Sequence, residues 1–216
     1  MVVIHRAIRQ DLRRLADCLG GTALGARASQ ARALRRYGAA LLGQIRAHHR
    51  SEDDIIWPVI AVAAGQAVDL TPLTDDHQAI QAAVSRASQA LASPGAEPDV
   101  FAELHASLSE LRDMVEEHIA DEEEQIFPAM RRYLPPHACR WCQQQILRRA
   151  APPGLRFTAP WLARHARPDE LRRLLAVGGW PARIVLVATR PGYARLERRA
   201  FGASPHQSHI PITTEE

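Results

Sequence analysis

Six residues of this chain have the types and spacing of a buried ligand set. His48 and Glu52 stand four apart, as do His118 and Glu122. On a helix, residues i and i+4 share one face, separated by ~6 Å along the axis. His5 and His77 precede the two paired histidines by 43 and 41 residues. All six occupy positions where the surrounding apolar periodicity calls for a core residue. Buried and unpaired, such groups would cost several kcal/mol per charge. A metal ion removes that cost by making each group a ligand. If each glutamate bridges two ions, each ion receives two imidazole nitrogens and two carboxylate oxygens. An octahedral ion then keeps two positions, one for a bridging oxygen and one for an exogenous ligand. Mixed nitrogen and oxygen ligation of this kind suits iron ahead of zinc, manganese or copper.

These residues belong to a repeat. HHRSEDDIIWP (48–58) and HIADEEEQIFP (118–128) share a His, a Glu four residues on, and an Ile-aromatic-Pro ending. Upstream, HRAIRQDL from His5 matches HQAIQAAV from His77. The chain therefore writes one hairpin twice: a His on one helix, His-x-x-x-Glu on the next. Two such hairpins packed face to face would be related by an approximate two-fold axis.

Four helices are needed to position this set, and four segments have helical periodicity. The first runs from Val2 to Leu19, with His5, Ile8, Leu12, Leu15 and Leu19 on one stripe. The second runs from Ser29 to Ala64 and aligns Leu34, Leu41, Ile45, His48, Glu52 and Ile55. The third starts at Thr71-Pro72, read as a cap followed by Pro at the first helical position. Its stripe is Leu73, His77, Ile80, Val84, Ala87 and Leu91. The fourth follows Pro98 and aligns Phe101, Leu104, Leu108, Leu111, Val115, His118 and Glu122. The links are short and hold Gly, Ser or Pro, which implies antiparallel neighbours. The expected fold is all-α: an up-down-up-down four-helix bundle with a short helical C-terminal extension. Pro58 and Pro128 should kink or close their helices just past each His/Glu pair.

His5, His48-x-x-x-Glu52, His77 and His118-x-x-x-Glu122, followed by IIWP and QIFP, resemble the hemerythrin-like, HHE cation-binding domain over about residues 1–134. The resemblance implies a four-helix bundle with a non-haem di-iron centre, oxo- or hydroxo-bridged, that binds O2, NO or peroxide, or that senses or handles iron and oxidative stress. It implies His5, His48, Glu52, His77, His118 and Glu122 as ligands, with the two glutamates as bridges. Oxygen-carrying members have a fifth His four residues from another on the third helix. Here Leu73 and Gln81 stand at those distances from His77, which puts reversible O2 transport in doubt. His49 is the residue that could supply a fifth imidazole, or else sit at the edge of the site. A catalase-like enzyme that disproportionates peroxide is one alternative reading. A structural bundle stapled by zinc or another metal is the other.

Charge divides the chain near residue 131. Residues 1–130 hold 12 Arg and 19 acidic residues, a net −7; residues 131–216 hold 15 Arg and 5 acidic residues, a net +10. The expected organisation is a bundle at 1–134, a basic helical extension at 135–203 and a disordered tail at 204–216. The basic extension is expected to pack on the acidic bundle, with oligomerisation or contact with acidic lipid as alternatives. The three cysteines make no disulfide framework, and Cys139 and Cys142 read as free thiols near a helix start. No run approaches the ~20 apolar residues of a membrane span, and no nucleic-acid motif is present. A cytoplasmic setting follows. Asp53, Asp54, Asp121, Glu123 and Glu124 read as a solvated face. His105 falls too far from His118 to join it, and His137, His165, His206 and His209 read as surface or tail residues.

Overall fold

A computed structural model of the chain describes residues 1–20, 28–93, 98–149 and 152–202. The expected tail at 204–216, with His206 and His209, lies outside the described residues. Helix α1 spans Val2–Gly20 and α2 spans Ala28–Ser51. A π-helical turn at Glu52–Ile56 leads into α3, Trp57–Ala64. Then follow α4 (Thr71–Ala92), α5 (Pro98–Tyr133), α6 (Pro136–Arg149), α7 (Pro152–His165) and α8 (Pro168–Phe201).

The four core stripes are buried as their periodicity requires. Leu12, Leu15, Leu41, Ile45, Val84, Ala87, Leu108, Leu111 and Val115 are all fully inaccessible. Each such aliphatic side chain, kept from water, contributes roughly 1.5–3 kcal/mol. Helix α5 packs against both α1 and α4, and α2 packs against α4 and α1. His5 and His77 lie near the starts of their helices, whereas His48 lies at the end of α2 and His118 in the C-terminal half of α5. Only alternating helix directions bring all four to one end of the bundle. Close approach at the far end uses Gly38. A Cβ there would stand 3.1 Å from Leu91 and 3.2 Å from Leu15.

Of the two outcomes expected of the prolines, closing the helix does not occur at Pro128, and at Pro58 the helix is interrupted by a change of winding. Pro58 has no N–H and its ring crowds the preceding turn. The chain takes a π turn just before it, and the Trp57 N–H bonds Glu52 O. That extra residue lets Ile55, Ile56 and Trp57 all turn inward. Pro128 lies inside α5, which continues to Tyr133. Thr71 is not a side-chain cap either. The N-cap position is Leu70, and the Thr71 N–H is instead satisfied by Asp69 Oδ1 at 2.9 Å.

The extension is helical and packs on the bundle. Helices α7 and α8 form a hairpin against α1 and α2. DELRRLL (169–175) and WPARIVLV (180–187) belong to one helix broken at Gly179, where φ is 66°. Trp161, Tyr193 and Ala200 join the same buried cluster as Leu12, Tyr37 and Leu41. Helix α6 instead covers the metal-ligand end, where Cys139 and Ile146 meet Ile56, Trp57 and Ile126. Cys139 and Cys142 are free. Among the described residues, no helix is long and apolar enough to cross a membrane.

Candidate metal centre

The doubled phrase delivers two adjoining clusters. His49, His77 and His118 form one; His5, His48, Glu52 and Glu122 form the other. In each, the available ligand atoms lie within 4.8 Å of one another, and every residue is buried. All seven sequence candidates, His49 included, are thus brought together. The ring of His49 stacks on His77 at 4.3 Å, which places it inside the constellation rather than at its edge.

Each glutamate faces both clusters. Glu52 Oε1 lies 3.2 Å from His48 Nδ1, and its Oε2 lies 3.7 Å from His77 Nε2. Glu122 Oε2 lies 3.3 Å from His5 Nε2 and 4.0 Å from His118 Nε2. The two-fold relation of the sequence is therefore met in space: His5 with His77, His48 with His118, Glu52 with Glu122.

The donor atoms lack other partners. His5 Nε2, His48 Nε2 and both oxygens of Glu52 and Glu122 are buried without a hydrogen bond. Orphaned groups of this kind are costly and call for a ligand. His77 Nε2 and His118 Nε2 stand 3.1 Å apart. Two nitrogens each ~2.1 Å from a shared metal, at a right angle, would be ~3.0 Å apart. The residues present fit a bound cation.

Around the clusters runs a ring of braces that crosses between hairpins. His5 Nδ1 donates to Glu123 Oε1 at 3.0 Å, and His77 Nδ1 donates to Asp53 Oδ1 at 2.7 Å. Each carboxylate follows the buried glutamate of its own hairpin and holds the histidine of the other. His118 Nδ1 faces Asp76 at 3.4 Å. The aromatic residues of the repeat do likewise: Trp57 stacks on His77 at 5.9 Å and Phe127 on His5 at 5.6 Å. Outer partners of this type fix tautomer and ring orientation.

Asp53 and Glu123 are thus corrections to the sequence reading, which left them on a solvated face. Their side chains are only 37% and 32% exposed. The signal was present in the repeat, since an acid follows both Glu52 and Glu122. His165 is a further correction. It is buried and contacts Asp11 and Gln10, because α7 docks on α1 and carries it inward. Asp54 does remain at the surface, paired with Arg149 at 2.8 Å.

Electrostatics favour exchange of protons for a cation. Burial holds the imidazoles of His48 and His49 well below their ordinary value, and neighbouring imidazoles push the same way. His118 is lowered by burial and by His77. Glu52 is raised well above the ordinary carboxylate value by burial and then by Glu122. Burial would also raise Glu123, but hydrogen bonds from Arg9 and His5 outweigh it and keep it low. Without a cation, His48, His49, His118 and Glu52 are thus all pushed toward their neutral forms, whereas Glu123 is held toward its charged form.

Within the site the repeat breaks at His49, which corresponds to Ile119, a fully buried residue. Three histidines therefore face one cluster and two face the other.

No curated protein and no solved structure matches the chain. The hemerythrin HHE cation binding domain family matches residues 1–134, which run from α1 to just past the end of α5. With its helical bundle and buried His/Glu clusters, the chain belongs to the hemerythrin HHE cation-binding domain family.

Proposed function

We propose that the chain is a non-haem di-iron protein that binds O2, NO or peroxide. His49, His77 and His118 hold one ion, His5 and His48 hold the other, and Glu52 and Glu122 bridge them. The observation that carries this reading is the position of the two glutamates, each of which faces a histidine from both clusters. Bound iron would supply redox chemistry and an exchangeable coordination position. Its donor set of imidazole and carboxylate suits iron and leaves no thiolate to favour a softer metal.

The chain's own contribution is positional and dielectric. Ile8, Ile45, Ile80 and Val115 stand one turn from the four paired histidines, at most 1% exposed. They deny water one side of the site and strengthen each charge interaction within it. Asp53 and Glu123 keep protons on the outer ring nitrogens of His77 and His5, so the inner nitrogens present lone pairs. The side with two histidines has one protein ligand fewer, which favours it for the small exogenous ligand. The free thiols support a reducing, cytoplasmic setting.

Metal analysis after iron-replete expression tests the reading, with absorption spectra before and after peroxide or NO. Two irons per chain and a spectrum that responds to the added ligand are expected. A colourless protein holding zinc, or one ion per chain, would overturn it. Steady O2 evolution from peroxide would instead make it a catalase-like enzyme.

A further inference from the structure

A second buried constellation lies below the metal-ligand end, and the ligand set does not use it. Asp11 is 1% exposed. Its Oδ2 accepts hydrogen bonds from Tyr37 Oη at 2.5 Å and Trp161 Nε1 at 2.8 Å. Tyr193 Oη stands 2.9 Å from Tyr37 Oη. Phe157 and Phe201 close the group by edge contacts to Tyr37. The chain has only four Trp, three Tyr and four Phe, yet five of them meet here. Helices α1, α2, α7 and α8 each contribute, so the group exists only because the extension docks on the bundle.

We propose that Tyr37 is a redox-active tyrosine, oxidised by one electron through the metal centre when peroxide reacts there, with Asp11 receiving its phenolic proton. This inference rests on the di-iron reading. The connection is α1, which carries both His5 and Asp11. They are six residues apart, ~9 Å along the axis. Ile8, Leu12, Leu41 and Ile45 fill the interval in one packed core, and electrons tunnel through such packing without a bonded path.

The chemistry balances as follows. Hydrogen peroxide is reduced to two water molecules and takes two electrons. One comes from a ferrous ion, which becomes ferric, and one from Tyr37, whose O–H bond breaks to leave a neutral phenoxyl radical. The phenolic proton passes to Asp11 across an oxygen–oxygen separation of 2.5 Å and stays there, and the two protons that the water molecules need are drawn from solvent.

Asp11 is built for that role. Burial would raise its carboxyl, but the hydrogen bond and charge of His165, the Tyr37 hydroxyl and Arg164 together hold it below its ordinary value. It is therefore ionised and free to accept. Tyr37 is raised by burial and then by Asp11, so it remains a phenol and loses its proton only with its electron. An ionised acceptor in short contact lowers the cost of that coupled loss. Tyr193 then shares the remaining hydrogen bond.

The test uses the full chain, loaded with ferrous iron, its iron counted, then mixed with hydrogen peroxide and frozen for electron paramagnetic resonance. An organic radical signal is expected, absent from metal-free protein and lost in Tyr37→Phe at unchanged iron content. In the unsubstituted chain, ring-deuterated tyrosine should narrow the signal, which avoids any folding effect of the variant. Iron that is bound and oxidised without an organic radical overturns the inference and leaves the di-iron reading standing. So does a radical that neither narrows with deuteration nor depends on Tyr37. A chain that binds no iron overturns both, and the iron count tells these cases apart.

Discussion

Glu123 accepts a hydrogen bond from Nδ1 of His5 at 3.0 Å, although 118 positions separate them in the chain. Arg9 Nη1 holds the other carboxylate oxygen at 2.9 Å. An ionised carboxylate can only accept, so the His5 proton stays on Nδ1. Nε2 faces Glu122 at 3.3 Å. The ring is thereby held in the orientation that a cation beside Glu122 would need.

Removing this brace should weaken one side of the centre. Glu123→Ala frees His5 to change tautomer and rotate, and metal affinity should fall ~10–100-fold. Asp53→Ala should do the same through His77, whose Nδ1 it holds at 2.7 Å. Competition with a coloured chelator would measure both. Unchanged affinity in both variants would mean the carboxylates only decorate the surface.

The metal-free protein should lose stability on both sides of a middle pH. His48, His49 and His118 are lowered below 6.5. As pH falls through the ordinary His range, the unfolded chain takes up protons that the fold resists, so stability drops. Glu52 is raised above 4.5. Its folded form keeps a proton that the unfolded chain has released, so that contribution is present below 4.5 and lost as pH rises through the raised value. A bound cation accepts neutral imidazoles and ionised carboxylates alike. Melting curves from about pH 5 to about pH 8, with and without chelator, should diverge most towards the alkaline side. Metal affinity should weaken in acid, since protons compete for the same atoms.

Docking of the extension should depend on Asp11 and Glu170. Asp11→Ala leaves the buried Tyr37 hydroxyl, Trp161 N–H and His165 facing a gap. Removing one partner of a buried charged network typically costs about 3–5 kcal/mol, readable by urea unfolding. Glu170 takes two bonds from Arg6, at 2.8 and 3.0 Å. Those bonds, and then the Arg167 N–H, hold it well below the ordinary carboxylate range. Its contribution is therefore present above 4.5 and lost as pH falls through that depressed value. Protease access to the α6–α7 region should rise in acid, and Arg6→Met should abolish that dependence.

The bundle was legible because its signal is periodic. The stripe residues from Ile8 to Leu91 and from Leu104 to Glu122 are buried where a 3.6-residue repeat places them. The buried His and Glu cluster was legible for a different reason: the same unusual residues recur in the same order. What the sequence hid are relations between hairpins. Asp53 looks like its exposed neighbour Asp54, and only the packing of α4 against the second helix sets Asp53 on His77. The π turn was hidden as well, since Pro58 alone does not say whether a helix breaks, bends or gains a residue. The docking of α7 and α8 had least signal. Asp11 sits between Gln10 and Leu12 as an ordinary helical acid, and its partners Trp161, Arg164 and His165 lie more than a hundred residues away. No local periodicity encodes a contact of that range.

His49 decides whether the two sides of the centre are equivalent. It sits where the other hairpin has Ile119, stacked on His77 at 4.3 Å and 5.1 Å from His118. If it completes a three-histidine set, His49→Ala should weaken one ion only, leaving the site formed by His5 and His48. Glu52→Ala and Glu122→Ala should each cost both ions, because each carboxylate faces both clusters. Metal content after mild chelation should then read one ion for the first variant and close to none for the other two. Ile119→His tests the converse, since it adds an imidazole on the His5 and His48 side and should compete with any small ligand that binds there. Spectral response to NO should weaken in that variant while metal content holds. Full retention of both ions in His49→Ala would remove His49 from the ligand set and leave each ion with two histidines.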